Sequence, residues 1–275
     1  MTMANPIPRF GIGTWRLGER ATAAQAEIAV IKAAIERGVS LIDTAEMYGD
    51  GGAEEVIGRA IAGVASYRER LFIVSKVYPH NASRKGTIAA CERSLKRLGT
   101  DYLDGYLLHW PGEHPLAETV AAFETLKAQG KIRAWGVSNF DGQAMQDLVS
   151  VANGNNVTTN QVLYNLSRRG VEFDLLPWQR ERGIPTMAYS PIEQAQLLAS
   201  SKLKTIAGDI GATAAQVAIA WLLTQPDVIV IPKTSHIARL QENLGALDLK
   251  LDAATLAALD AAFPAPRKRS PLAML

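Results

Sequence analysis

Four side chains with proton chemistry stand at or just beyond the ends of short, mainly apolar runs. Asp43 closes Ser40-Leu41-Ile42-Asp43, Tyr48 follows shortly after it, Lys76 closes Leu71-Phe72-Ile73-Val74-Ser75-Lys76, and His109 closes the run that begins at Tyr102. A carboxylate, a phenol, an amine and an imidazole are the groups that hold, release and accept protons. Taken singly, each has an ordinary explanation: Asp43-Thr44 could cap a turn, Tyr48 could be core, Lys76 could be a solvated strand end and His109 a hydrogen-bonded structural histidine. Lys76 weighs against that reading, because an amine placed directly after an apolar run needs a charged partner if it is buried. Asp43 is the natural partner.

These residues are far apart in the chain, so the fold must gather them. Short β-branched runs alternate about eight times with longer segments whose apolar residues recur at three- and four-residue spacing. Strands are predicted over 10–15, 40–43, 71–76, 102–109, 132–138, 157–161, 185–190 and 228–232. Helices are predicted over 21–37, 53–62, 84–98, 116–129, 141–151, 172–182, 213–224 and 236–245, with Gly38, Gly99, Gly130 and Gly183 where helix stops belong. Two further helical stretches, 200–208 and 252–262, are extra to the alternation. No linker or shift in composition divides the chain, so a single (β/α)8 TIM-barrel domain over 1–275 is expected. Loops at the C-terminal ends of barrel strands converge, which makes neighbours of Asp43, Tyr48, Lys76 and His109. A doubly wound dinucleotide fold is the main competitor. Its glycine fingerprint is missing, since Gly11-Ile12-Gly13 has Arg16 where a third glycine belongs and reads as strand.

Composition excludes several function classes. With 48% hydrophobic and 20% charged residues over 275, the chain buries a sizeable core and is not disordered. Its 29 basic and 27 acidic residues leave a net charge of +2, which gives no general attraction to nucleic acid or an anionic membrane. No stretch approaches about 18 consecutive apolar residues, and the start Met1-Thr2-Met3-Ala4-Asn5-Pro6 lacks a leader pattern. The single cysteine, Cys91, is read as a packing residue; one thiol forms neither an internal disulfide nor a multi-cysteine metal cluster, which fits a reducing compartment, so a soluble cytoplasmic protein is expected. A monomer is the expected state. His109 and His114 enclose a proline and a glycine, which argues against a helical ligand pair, and no metal is expected. Arg267-Lys268-Arg269, after Pro264 and Pro266, reads as a solvated tail.

The segments Gly11-Ile12-Gly13-Thr14-Trp15, Asp43-Thr44-Ala45-Glu46-Met47-Tyr48-Gly49, Val74-Ser75-Lys76 and Leu107-Leu108-His109-Trp110 resemble the aldo-keto reductases. So do Trp135-Gly136-Val137-Ser138-Asn139-Phe140, Asn160-Gln161, Ala188-Tyr189-Ser190-Pro191 and Ile231-Pro232-Lys233-Thr234-Ser235, in the family's order and across nearly the whole chain. The resemblance implies carbonyl reduction by hydride transfer from NADPH, with Tyr48 as general acid, Lys76 as the cation that eases loss of its proton, Asp43 orienting Lys76, and His109 positioning the carbonyl oxygen. It also implies that Ser138, Asn139 and Gln161 bind the nicotinamide carboxamide, that Tyr189 stacks on the ring, and that Ser190 lies in the loop near the pyrophosphate. Lys233 and Arg239, with Thr234 and Ser235 at a helix start, would hold the adenosine 2′-phosphate, and Glu242 and Asn243 the adenine. One departure stands out: Ile192-Glu193-Gln194-Ala195-Gln196 lacks the glycines common in this loop.

Trp15, Tyr78, Trp110 and Phe140 are expected around the mouth of the site, forming an aromatic pocket for small carbonyls. Ser75-Lys76-Val77-Tyr78-Pro79, Asp174-Leu175-Leu176-Pro177-Trp178 and Pro264-Ala265-Pro266 are especially similar to bacterial methylglyoxal reductases, which points to α-dicarbonyls and α-ketoaldehydes such as methylglyoxal or diacetyl. A 2,5-diketogluconate reductase is the alternative within the family. A non-catalytic NADPH-binding sensor or scaffold is the alternative of another class.

Overall fold

The computed structural model describes residues 7–275; the start of the chain, residues 1–6, lies outside the described residues. The β-branched runs form β1 (Gly11–Gly13), β2 (Leu41–Asp43), β3 (Phe72–Val77), β4 (Leu103–Leu108), β5 (Ile132–Ser138), β6 (Asn160–Leu163), β7 (Thr186–Tyr189) and β8 (Val228–Val230). All are parallel and lie side by side in chain order. Bridges Phe10↔Val230 and Gly13↔Lys233 join the two outer strands, and the Arg9 guanidinium donates across the same seam to the carbonyls of Leu223, Gln225 and Val228. The sheet is thereby nearly closed into a barrel.

Around it lie α1 (Ala24–Glu36), α2 (Gly52–Ile61), α3 (Ala65–Arg70), α4 (Arg84–Leu98), α5 (Leu116–Ala128), α6 (Gly142–Ser150), α7 (Leu175–Glu181), α8 (Ser201–Asp209), α9 (Ala214–Thr224), α10 (Ile237–Leu244) and α11 (Ala253–Ala262). Helix α4 has the bounds its sequence predicts, because Ser83 caps its start by accepting from Gly86 N and Gly99 ends it at φ 64°. The extra stretches are α8 and α11, packed on each other. Several bounds shift. Helix 172–182 begins only at Leu175, after a separate 3-10 turn, and the strand placed at 157–161 runs over Asn160–Leu163, since Val157 closes the preceding turn. The short α3 was unforeseen, having no apolar periodicity; Arg68 fastens it by donating to Thr100 Oγ1, Tyr102 O and Asp104 Oδ2.

Strand periodicity places the chemistry. Leu41, Phe72, Val74, Leu107, Met187, Ile229 and Ile231 form one apolar cluster, while their alternate neighbours Ile42, Ile73, Leu108, Ala188, Val228 and Val230 belong to the larger layer under the helices. The smaller cluster is therefore the barrel interior. Continuing the same two-residue step toward the C-terminal ends brings Asp43, Lys76, His109 and Tyr189 to the inner face. Each apolar side chain fully buried in these layers contributes about 1.5–3 kcal/mol, which is what holds that inner face in register. Among the described residues no single helix is long and apolar enough to cross a membrane.

Candidate active site

Lys76 is fully buried, and its Nζ donates to Asp43 Oδ1 at 2.7 Å and Oδ2 at 2.9 Å, to Thr44 O at 2.8 Å and to Tyr48 Oη at 3.2 Å. A carboxylate, a carbonyl and a phenol oxygen are the acceptors that suit the three N–H bonds of an ammonium. Because Tyr48 Oη accepts from Lys76, its own hydrogen is directed elsewhere. The phenol is held in place by its turn: Tyr48 N donates to Ala45 O, and Tyr48 O accepts from Ala53 N at the start of α2. Gly49 makes the turn feasible, with φ 59° and no room for a Cβ, which would lie 2.8 Å from Leu17 O.

Burial, reinforced by the Asp43 carboxylate, pushes the Tyr48 phenol well above its ordinary value, so it rests protonated. Burial lowers Lys76 from its ordinary value, and the Asp43 and Glu54 carboxylates oppose that shift. His109 packs edge-on to Tyr48, ring centroids 5.7 Å apart, and is pushed down to about 2 by burial and then by Lys76. A neutral imidazole at working pH donates a hydrogen bond but is no cationic acid. At neutral pH both groups therefore rest uncharged, the phenol as O–H and the imidazole with one N–H.

These groups open onto a cleft of about 670 Å³, within the range of small-molecule and cofactor sites. Asp43, Tyr48 and His109 line it, as do all eleven residues expected to bind cofactor. At one end, Gln161 Nε2 donates to Asp43 Oδ1 at 2.7 Å, Ser138 Oγ to Gln161 O at 2.9 Å, and Tyr189 Oη to Asn139 Oδ1 at 3.0 Å. The amide cluster is thus joined directly to the Asp43–Lys76 pair. At the other end α10 starts after His236 with no side chain bonded to its first-turn N–H groups, beside Lys233 and Arg239. Exposed helix N–H groups flanked by two cations suit a phosphate, and amides beside a tyrosine ring suit a carboxamide-bearing ring, so the donor set fits NADPH.

Between the two ends runs the loop without glycines. Glu193, Gln194 and Ala195 adopt φ 49°, 51° and 75°, and Ser190 φ 49°, the left-handed backbone that glycine would supply without strain. Buried Glu193 holds the loop, accepting from Arg168 Nε and Asn165 Nδ2, both at 2.7 Å. Of the expected aromatic wall, Trp15 and Trp110 line the cleft. Tyr78 does not; its ring is packed on His80, centroids 4.6 Å apart, and edge-on to Trp110 at 5.7 Å. Phe140 is also outside the cleft, fully buried in the core one residue past the inward-facing Asn139. Ile192, Gln194 and Ala195 of the expected pyrophosphate loop line the cleft, while sequence reasoning did not single out Arg16, Met47 or Leu275. The strand-end rule applied to β1 would have found Arg16, whose guanidinium lies 4.3 Å over Trp15; nothing local marks Leu275.

The sequence model of the Aldo/keto reductase family matches residues 9–263. The methylglyoxal reductase YeaE of Escherichia coli (strain K12) is 51% identical over 274 residues, covering 98% of this chain and 95% of that protein. The glyoxal reductase of Bacillus subtilis (strain 168) is 38% identical over 257 residues, 93% of this chain and 88% of that protein. The crystal structure of an aldo-keto reductase from Klebsiella pneumoniae in complex with NADPH is similar at 48% identity and a TM-score of 0.94, covering 98% of this chain and 95% of that one. By the extent of these matches, and with an eight-stranded barrel to carry them, the chain belongs to the aldo/keto reductase family.

Proposed function

We propose that this enzyme reduces small α-dicarbonyls and α-ketoaldehydes, methylglyoxal foremost, using NADPH and Tyr48 as general acid. The observation that carries the reading is the buried Lys76 ammonium bonded at once to Asp43 and to Tyr48 Oη at the inner wall of the cleft. NADPH, when bound, supplies a hydride to the carbonyl carbon. Tyr48 gives its phenolic proton to the oxygen on which negative charge develops, and the phenolate left behind is stabilised by Lys76 at 3.2 Å. High resting affinity of the phenol for its proton means that the ammonium acts on the phenolate as it forms. His109, neutral, offers a hydrogen bond to the same oxygen, and Asp43 fixes Lys76 from both carboxylate oxygens.

Ser138, Asn139, Gln161 and Tyr189 are the residues to hold the nicotinamide end. Lys233, Thr234, Ser235 and Arg239 would hold the 2′-phosphate, Glu242 and Asn243 the adenine, with Ser190 beside the pyrophosphate. Trp15, Trp110 and Met47 leave an aromatic and apolar wall, which favours compact, uncharged substrates. The names of the two curated relatives, a methylglyoxal and a glyoxal reductase, support the same class. The test is a screen of NADPH consumption with methylglyoxal, diacetyl, 2,5-diketogluconate and simple aromatic aldehydes. Highest kcat/KM for the first two is expected. Preference for 2,5-diketogluconate overturns the substrate class, and NADPH binding without turnover on any of them favours a sensor.

A further inference from the structure

A second charge is buried behind Lys76, on the side of β3 that faces the helices. Glu54, in the first turn of α2, is wholly out of solvent. Its Oε1 accepts from Ser75 Oγ at 2.5 Å and its Oε2 from Arg97 Nε at 2.6 Å, while Arg97 Nη2 also donates to Ser94 Oγ at 3.3 Å. The Arg97 stem lies against Gly51, where a Cβ would fall 2.6 Å from it, just past the Tyr48 turn. Burying a carboxylate is costly even when it is paired, and an apolar side chain of similar volume would pack α2 on β3 without that cost. What the carboxylate supplies instead is direction, through two short charge-assisted hydrogen bonds.

That direction bears on the proton donor from both sides. Ser75 is covalently next to Lys76, and Ala53, covalently next to Glu54, donates its N–H to Tyr48 O at 3.1 Å. One carboxylate therefore links the two backbones that carry the ammonium and the phenol. We infer that Glu54, acting through Ser75 and braced by Arg97, is a positioning residue that sets the 3.2 Å separation of Lys76 Nζ and Tyr48 Oη. The inference rests on Tyr48 being the acid.

Ser75→Ala tests it with the smallest change, accompanied by Glu54→Gln and Glu54→Ala. The readouts are steady-state kcat and KM for methylglyoxal, NADPH affinity by quenching of tryptophan fluorescence, the solvent deuterium isotope effect on kcat, and thermal unfolding. Ser75→Ala is expected to lower kcat about 10-fold, the cost of displacing a reacting group by a fraction of an ångström, and to enlarge the isotope effect. KM and NADPH affinity should stay within about two-fold, since neither involves this link. Glu54→Gln, which retains an acceptor for Ser75, should keep more kcat than Glu54→Ala. Unchanged kcat in Ser75→Ala, with only a lower unfolding temperature, overturns the inference, as does a parallel loss of NADPH affinity. Should the Glu54 variants fail to fold, Ser75→Ala decides alone. Tyr48→Phe separates the two readings: if it abolishes turnover while Ser75→Ala leaves kcat intact, only the positioning role falls.

Discussion

His109 shows how one side chain ties the chemistry of the site to the stability of the chain. Its folded value of about 2 lies far below the ordinary 6.5, so below pH 6.5 the unfolded chain takes up a proton that the folded chain refuses. Stability is therefore full above pH 6.5 and falls as the pH drops toward 2. One pH unit corresponds to about 1.4 kcal/mol, so His109→Asn should spare the protein about 2 kcal/mol of loss between pH 6.5 and 5. Urea unfolding of the two proteins at both pH values checks this, and equal losses would contradict it. At this scale the sequence was informative: an amine following Leu71-Phe72-Ile73-Val74-Ser75 demands a partner, and the partner named, Asp43, is the one found. Tyr78 and Phe140 misled because aromatic type alone does not say which side of a strand end or loop a ring occupies.

Two elements, α10 and the loop after β7, line the cleft at the end proposed to hold the phosphates of NADPH. Lys233 and Arg239 stand at the uncapped start of α10. Each charge-assisted hydrogen bond contributes about 1.5–3 kcal/mol, so replacing both by Met should erode a preference for NADPH over NADH by at least about 10-fold. Competitive binding of the two nucleotides measures it; an unchanged ratio would exclude that phosphate site. The loop at 190–195 stores left-handed strain, roughly 1–3 kcal/mol at each such residue, and Glu193 restrains it through Arg168 and Asn165. Glu193→Ala should weaken NADPH binding about 5-fold or more and open the loop to subtilisin, with unaltered binding and cleavage as the contrary result. This loop was the least legible element. Its backbone form is carried by Glu, Gln and Ala, which advertise no positive φ, and what stabilises it comes from residues some 25 positions away. By contrast α4 was readable to the residue, because Ser83 and Gly99 mark both ends.

The whole barrel divides the labour between its two ends. Alternation of apolar runs and helical periods made eight βα units visible in the sequence, and the same two-residue step told which strand-end residues face inward. At the opposite end buried Asp104 accepts from Arg68 and Arg133, both at about 2.7–2.9 Å, and from Ile73 N at 3.0 Å, tying β3, β4 and β5 together. Both guanidiniums also lie over the Tyr102 ring, Cζ 3.7 and 4.1 Å from its centroid. Asp104→Asn should cost about 2–3 kcal/mol of stability, since it leaves Arg68 half-paired, while kcat of the folded enzyme stays the same. Chemical unfolding and steady-state kinetics on one preparation check both halves. The proposed chemistry of the barrel depends on the Tyr48 phenol beside the Lys76 ammonium. Its most direct test is single-turnover reduction of methylglyoxal by Tyr48→Phe saturated with NADPH. A fall of about 10²–10⁴-fold in rate, with NADPH affinity nearly unchanged, is expected; near-normal turnover would contradict the assignment of the acid.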